Sequence, residues 1–156
     1  MKCGGEGVMW RQAVAFAARQ HRDQIRGDDG TPYIAHPMRV ALIILMEFQC
    51  DDPEVTAAAV LHDVLEKTGA TYDELEKQFG PRVATMVAKL SKDRRLPGEA
   101  ADKAYLGQLR AADWKTRLIK LADVYYGMAD NRIGVARLDL PEHLPTEATR
   151  EFGGNA

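Results

Sequence analysis

A chain of 156 residues with 21 Lys and Arg against 23 Asp and Glu carries a formal net charge of -2, so no basic field marks a binder of nucleic acid or of anionic membrane. The length suits one compact domain and is short for two. Only Cys3 and Cys50 are present, which fits free thiols in a reducing cytoplasm better than a disulfide framework; with neither an apolar run of membrane-spanning length nor the apolar core of a signal peptide, a soluble cytoplasmic protein is expected.

Val8 to Gln24 carries Trp10, Ala13, Val14, Ala17 and Ala18 at amphipathic helical spacing, and the turn Arg26-Gly27-Asp28-Asp29-Gly30 follows it. Pro37 predicts the first position of a helix over Met38 to Phe48, with His36 at its start, because a proline lacks the N–H that such a position leaves unpaired anyway. Asp51-Asp52-Pro53-Glu54 repeats this logic before a helix that holds His62 and stops near Thr68-Gly69. Thr71 followed by Glu74 reads as a capping box, and Gly80-Pro81 closes that short helix and opens the next, with Val83, Met86, Val87 and Leu90 on one face. After the charged stretch Lys92-Asp93-Arg94-Arg95 two further helices are expected, Glu99 to Arg110 and Ala111 to Asn131. No strand-like alternation appears, so the expected architecture is all-α, a compact bundle of about six or seven helices. One domain over residues 8–138 is expected, with loosely ordered termini at 1–7 and 139–156.

The chemistry concentrates at Leu61-His62-Asp63-Val64-Leu65-Glu66. A histidine and an aspartate inside an Ala, Val and Leu run need a cation, a network or a cleft, because burying an unpaired charge costs several kcal/mol or more. On a continuous helix His62, Asp63 and Glu66 would share a face. Far along the chain Asp123 interrupts the apolar segment Leu118 to Ala122. His36 could simply cap its helix, and Asp123 could pair with Lys120. Together, however, His36, His62, Asp63 and Asp123 form a candidate ligand set for a divalent first-row metal with positions left for water and substrate. His21 and His143 read as structural or solvated.

The set His36, His62-Asp63 and Asp123 resembles the H…HD…D signature of the HD superfamily of metal-dependent phosphohydrolases. Phe16-Ala17-Ala18 with His21 and Gln24, Gly30 to Pro37, Ala58 to Asp63, Phe79-Gly80 and Lys120 to Asp123 are similar to the hydrolase domains of RelA/SpoT-type proteins and to the free-standing small alarmone hydrolases, over residues 10–131. The resemblance implies an all-helical HD-domain bundle and a manganese ion held by His36, His62, Asp63 and Asp123. It implies removal of the 3′-pyrophosphate from ppGpp or pppGpp, with Glu66 orienting or deprotonating the attacking water and Arg26 contacting the nucleotide.

This chain also departs from that pattern. Lys67 stands where the family has an acid paired with Glu66 in catalysis, so Glu66 and Lys67 are the candidate catalytic residues here; an ammonium at that point would repel the metal or bind a phosphate. Gly127 replaces an asparagine, and Gly27 a lysine of the first loop. These differences leave two other readings open: an HD phosphohydrolase acting on another nucleotide or phosphoester, and a non-catalytic nucleotide-binding HD domain. The implied partner is a small nucleotide, with no nucleic acid and no membrane; the pattern is compatible with a homo-oligomer without arguing for one.

Overall fold

Asp52 sets up the central helix. In the computed structural model, which describes residues 6–27 and 29–129, its carboxylate accepts hydrogen bonds from the backbone N–H groups of Glu54 and Val55 at 2.9 and 3.3 Å, and Pro53 takes the first helical position. The helix that follows, α3 (Pro53–Leu61), is buried from Val55 through Leu61. It is apolar on every side because helices surround it: α1 (Glu6–Gln20), α2 (Ala35–Leu42), α6 (Pro81–Leu90) and α8 (Trp114–Ala129) all pack on it. The architecture is all-α, as the absence of alternating strands predicts.

The remaining elements follow local signals. α5 (Tyr72–Phe79) begins with the capping box, Thr71 accepting from the Glu74 N–H and Glu74 accepting from the Thr71 N–H. Gly80, at φ +87°, lets the chain reverse before Pro81 opens α6. Phe79 meets Phe16 of α1 edge to face, with ring centroids 5.7 Å apart. The C-terminal carbonyls of α6 have no partner inside that helix, and α7 (Gly98–Arg110) supplies donors: the Gln108 amide reaches Ala88, Lys89 and Ser91, and the Tyr105 hydroxyl reaches Leu90.

The structure corrects several expectations. The first helix ends at Gln20, and residues 21–23 form a turn. After it a two-residue antiparallel ladder, β1 (Ile25–Arg26) with β2 (Thr31–Pro32), pairs Ile25 with Pro32 and Arg26 with Thr31; it is too short to show alternation in sequence. α2 begins at Ala35, so Pro37 lies third, still among the first-turn positions whose N–H has no intrahelical acceptor. Its last turns widen into a π-helical segment over Ile43–Glu47. The helix carrying His62 is not continuous. α3 ends at Leu61, the His62 N–H reaches back to the Ala59 carbonyl at 3.5 Å, Asp63 adopts φ -98° and ψ -6°, and a short α4 (Val64–Lys67) restarts the chain. The last expected helix begins at Trp114 rather than Ala111, and its expected end at Asn131, the domain limit at 138, His143 and the tail from 139 lie outside the described residues. Among the described residues no helix is long and apolar enough to cross a membrane.

Asp52 also accepts from the Lys115 ammonium at 2.6 Å, tying the start of α3 to α8. Replacing Asp52 with Ala therefore lowers the free energy of unfolding by about 1–2 kcal/mol in a urea titration, whereas Asp52→Asn, which keeps an acceptor at the cap, loses about half as much or less.

Candidate metal centre

The break after Leu61 places the His62 side chain. Its Nδ1–H donates to the Ala59 carbonyl at 2.7 Å, which leaves Nε2 as the nitrogen pointing away from the helix. Nε2 is buried and has no hydrogen-bond donor, and it faces Asp63 Oδ2 at 3.4 Å and Asp123 Oδ1 at 3.9 Å. His36, carried by the first turn of α2, brings its own Nε2 to 3.2 Å from Asp123 Oδ1 and 3.5 Å from Asp63 Oδ2. The imidazoles of His36 and His62 meet edge to face with centroids 5.1 Å apart. Candidate donor atoms of His36, His62 and Asp123 all lie within 4.8 Å of one another. A nitrogen lone pair aimed at two carboxylates is repulsive unless a cation lies between them, so this donor set fits a divalent metal ion, with imidazole and carboxylate suited to a first-row metal.

The electrostatics agree. Burial opposes protonation of His62, but the carboxylates of Asp63 and Asp123 outweigh it and lift its pKa above the ordinary histidine value. Burial lowers the pKa of His36, its contact with Asp123 notwithstanding. For Asp63, burial is outweighed by the charges of His62 and Lys67 and by the Tyr33 hydroxyl, and its carboxyl is held well below the usual carboxylate range; Asp123 is held low against burial by His36 and Lys120. The site thus attracts positive charge, supplied either by a proton on His62 or by a metal.

Further contacts orient the acids. Asp123 divides its oxygens: Oδ2 accepts from the Lys120 ammonium at 2.8 Å while Oδ1 faces the histidines, so pairing with Lys120 and facing the metal donors occur together. Asp63 Oδ2 accepts from the Tyr33 hydroxyl at 2.5 Å. Tyr33 is separated from Asp63 by 30 residues, and no local spacing in the sequence signals the contact. Burial and the Asp63 charge push the Tyr33 pKa up, so its hydroxyl stays protonated as a donor. His21 stacks near the Tyr33 ring with centroids 4.8 Å apart, and its Nδ1–H donates to the Gln24 amide oxygen at 2.8 Å, a structural role.

His62, Asp63 and Glu66 do not lie on one continuous helix as expected, because α3 ends at Leu61 and Glu66 belongs to α4. Its Oε2 accepts from the Lys92 backbone N–H at 2.9 Å, and no protein donor among the described residues reaches Oε1. It still opens onto the same cavity of about 240 Å³, which is lined by His36, His62, Asp63 and Asp123 together with Arg26 and Lys67. Arg26 lies over the rings of Tyr33 and Tyr126, at 6.0 and 5.5 Å to the centroids. Gly127 is buried on α8 and offers no side chain to the site.

The HD-domain family model matches residues 13–132. The chain belongs to the HD-domain family. Its sequence is 39% identical over 131 residues to the guanosine-3′,5′-bis(diphosphate) 3′-pyrophosphohydrolase MESH1 of Danio rerio, covering 83% of this chain and 72% of that protein. The Homo sapiens MESH1 is 40% identical over 128 residues, 81% of this chain and 72% of the relative. The bifunctional (p)ppGpp synthase/hydrolase SpoT of Escherichia coli is 38% identical over 148 residues, and the match covers only 21% of that longer protein. Among solved structures, a metazoan ortholog of SpoT described as hydrolysing ppGpp superposes with a TM-score of 0.76 at 28% identity, over 93% of this chain and 80% of that one.

A metal held by His62 would compete with a proton there, so metal affinity is expected to rise with pH through the raised pKa of His62 and to fall as pH drops below it, by up to about tenfold per pH unit. Calorimetric titration in buffers of different ionisation enthalpy checks this: up to one proton leaves per ion bound, and an affinity flat between about pH 5 and 8 contradicts it.

Proposed function

We propose that this HD-family phosphohydrolase removes the 3′-diphosphate of guanosine-3′,5′-bis(diphosphate), the substrate in the names of its MESH1 relatives, and that residues 8–138 form the catalytic unit. The observation that carries this reading is the single cavity in which His36, His62, Asp63 and Asp123 converge beside Glu66, Lys67 and Arg26. His36, His62, Asp63 and Asp123 would hold the ion, with Mn2+ suited to two imidazoles and two carboxylates. When bound, the ion supplies Lewis acidity, lowering the pKa of a water and offsetting charge that develops on phosphoryl oxygen.

The protein groups do the rest. Tyr33, donating to Asp63 at 2.5 Å, and the Ala59 carbonyl, accepting from His62 at 2.7 Å, hold two of the ligands in place. Glu66, fastened through Oε2 to the Lys92 N–H, keeps Oε1 available to orient the attacking water and take its proton. The water oxygen bonds to the phosphorus attached to the 3′ oxygen, and the bond from that phosphorus to the 3′ oxygen breaks. The 3′ oxygen leaves with a proton from solvent, yielding the nucleoside 5′-diphosphate and pyrophosphate. Arg26 approaches the nucleotide from the ladder, and Lys67 stands where phosphate charge accumulates. The free, buried Cys50 thiol suits a reducing cytoplasm.

Manganese-loaded protein given ppGpp is expected to release pyrophosphate and GDP. Glu66→Gln lowers kcat by about 10²- to 10⁴-fold while the protein keeps its metal. Turnover of a different phosphoester with none from ppGpp would reject the substrate assignment, and an unchanged kcat in Glu66→Gln would reject the base.

A further inference from the structure

Two cavities meet at the rim of this site. The inner one, about 240 Å³, holds His36, His62, Asp63 and Asp123; the outer one, about 620 Å³, is lined by Gln24, Ile25, Tyr33, Arg94 and Leu96 and by Asp93, whose carboxylate is paired with Arg95. Glu66, Lys67 and Lys92 line both. The residues shared by the two cavities are thus one acid and two lysines.

These lysines are held at the junction without being neutralised by it. The Lys67 backbone carbonyl accepts from the Gln24 amide at 2.7 Å, and its ammonium lies over the Tyr33 ring at 5.4 Å from the centroid. No carboxylate of the described residues lies within ion-pair distance of that ammonium, while the other charged pairs near it, such as Lys120 with Asp123, are closed. Glu66 does not compensate it, since its carboxylate is turned to the Lys92 backbone N–H. Arg94 donates to the Glu66 carbonyl at 2.8 Å and so fastens the Lys92 to Arg94 segment against α4. The Lys92 ammonium pairs with Asp102 at 2.8 Å on the surface, where both side chains are largely exposed; such a pair contributes little and exchanges readily.

An ammonium with no carboxylate at ion-pair distance, close to a cation site, weakens metal binding unless an anionic ligand joins the two. We infer that Lys67 and Lys92 clamp the distal phosphate of a diphosphate whose proximal phosphate occupies the inner cavity, so that the site recognises a diphosphate in preference to a monophosphate. The inference rests on the metal-centred reading of the inner cavity. It assigns Lys92 a role in specificity and makes Asp102 the group that competes with the ligand for it.

The test is calorimetric binding of inorganic pyrophosphate and of inorganic phosphate to the full chain loaded with manganese and freed of excess metal. Pyrophosphate is expected to bind at least tenfold more tightly than phosphate. Lys67→Gln and Lys92→Gln each reduce pyrophosphate affinity by roughly tenfold, the loss of one charge-assisted hydrogen bond, and leave phosphate affinity nearly unchanged. Asp102→Asn, which releases Lys92, tightens pyrophosphate binding a few-fold. Lys67→Gln binds metal at least as tightly as the parent, a readout that is independent of ligand. Equal affinity for the two anions, or lysine variants that bind pyrophosphate like the parent, overturns the clamp. Binding is read without turnover: a protein that discriminates pyrophosphate through these lysines yet leaves ppGpp intact loses the substrate assignment and keeps the clamp, and one that cleaves ppGpp with no lysine dependence of pyrophosphate binding does the reverse.

Discussion

The hydrogen bond from His62 Nδ1 to the Ala59 carbonyl is the constraint on which the site depends. It uses an acceptor one turn back and commits the imidazole to presenting Nε2 toward Asp63 and Asp123. A neutral imidazole in that orientation sets a lone pair against carboxylate oxygens in a buried space, which is unfavourable without a cation. A proton or a metal resolves it, and both the raised pKa of His62 and the convergence of His36 follow from that demand. The fold supports the arrangement by surrounding α3 with other helices, so that the turn at residues 62 and 63 emerges from rigid, well-packed backbone.

Around this point the acids are shared out with little redundancy. Asp123 serves Lys120 with one oxygen and the histidines with the other. Asp63 is steadied by Tyr33, whose ring in turn lies beneath the Lys67 ammonium and near the Arg26 guanidinium. Tyr33 thus links the acid that faces the metal donors to the two cations at the mouth. A substitution there would be felt at both, through lost orientation of Asp63 and lost support for the cations.

How much of this was readable in the sequence depended on the range of the interaction. Asp52-Pro53, the Thr71 and Glu74 box and Gly80-Pro81 announce helix boundaries by local chemistry, and all three appear where expected. His62 and Asp63 stood out because polar groups interrupt an Ala, Val and Leu run. The helix break at that pair is not readable, since neither glycine nor proline marks it. Because of the break, His62, Asp63 and Glu66 do not share one continuous helix although all three line the same cavity, and Glu66 reaches it from α4 with a partner 26 residues away. Likewise the bond between Tyr33 and Asp63 spans 30 residues, and the two-residue ladder that carries Arg26 is shorter than any periodic signal.

His62 and its neighbours are proposed as a metal centre, and the most direct measurement is the metal content of the purified protein beside that of His62→Ala, taken with a folding control by circular dichroism. Close to one divalent ion per chain is expected in the parent, and loss of that ion in a variant that remains folded. A parent protein that takes up no ion from excess metal, or a folded His62→Ala protein that retains it, would contradict the account.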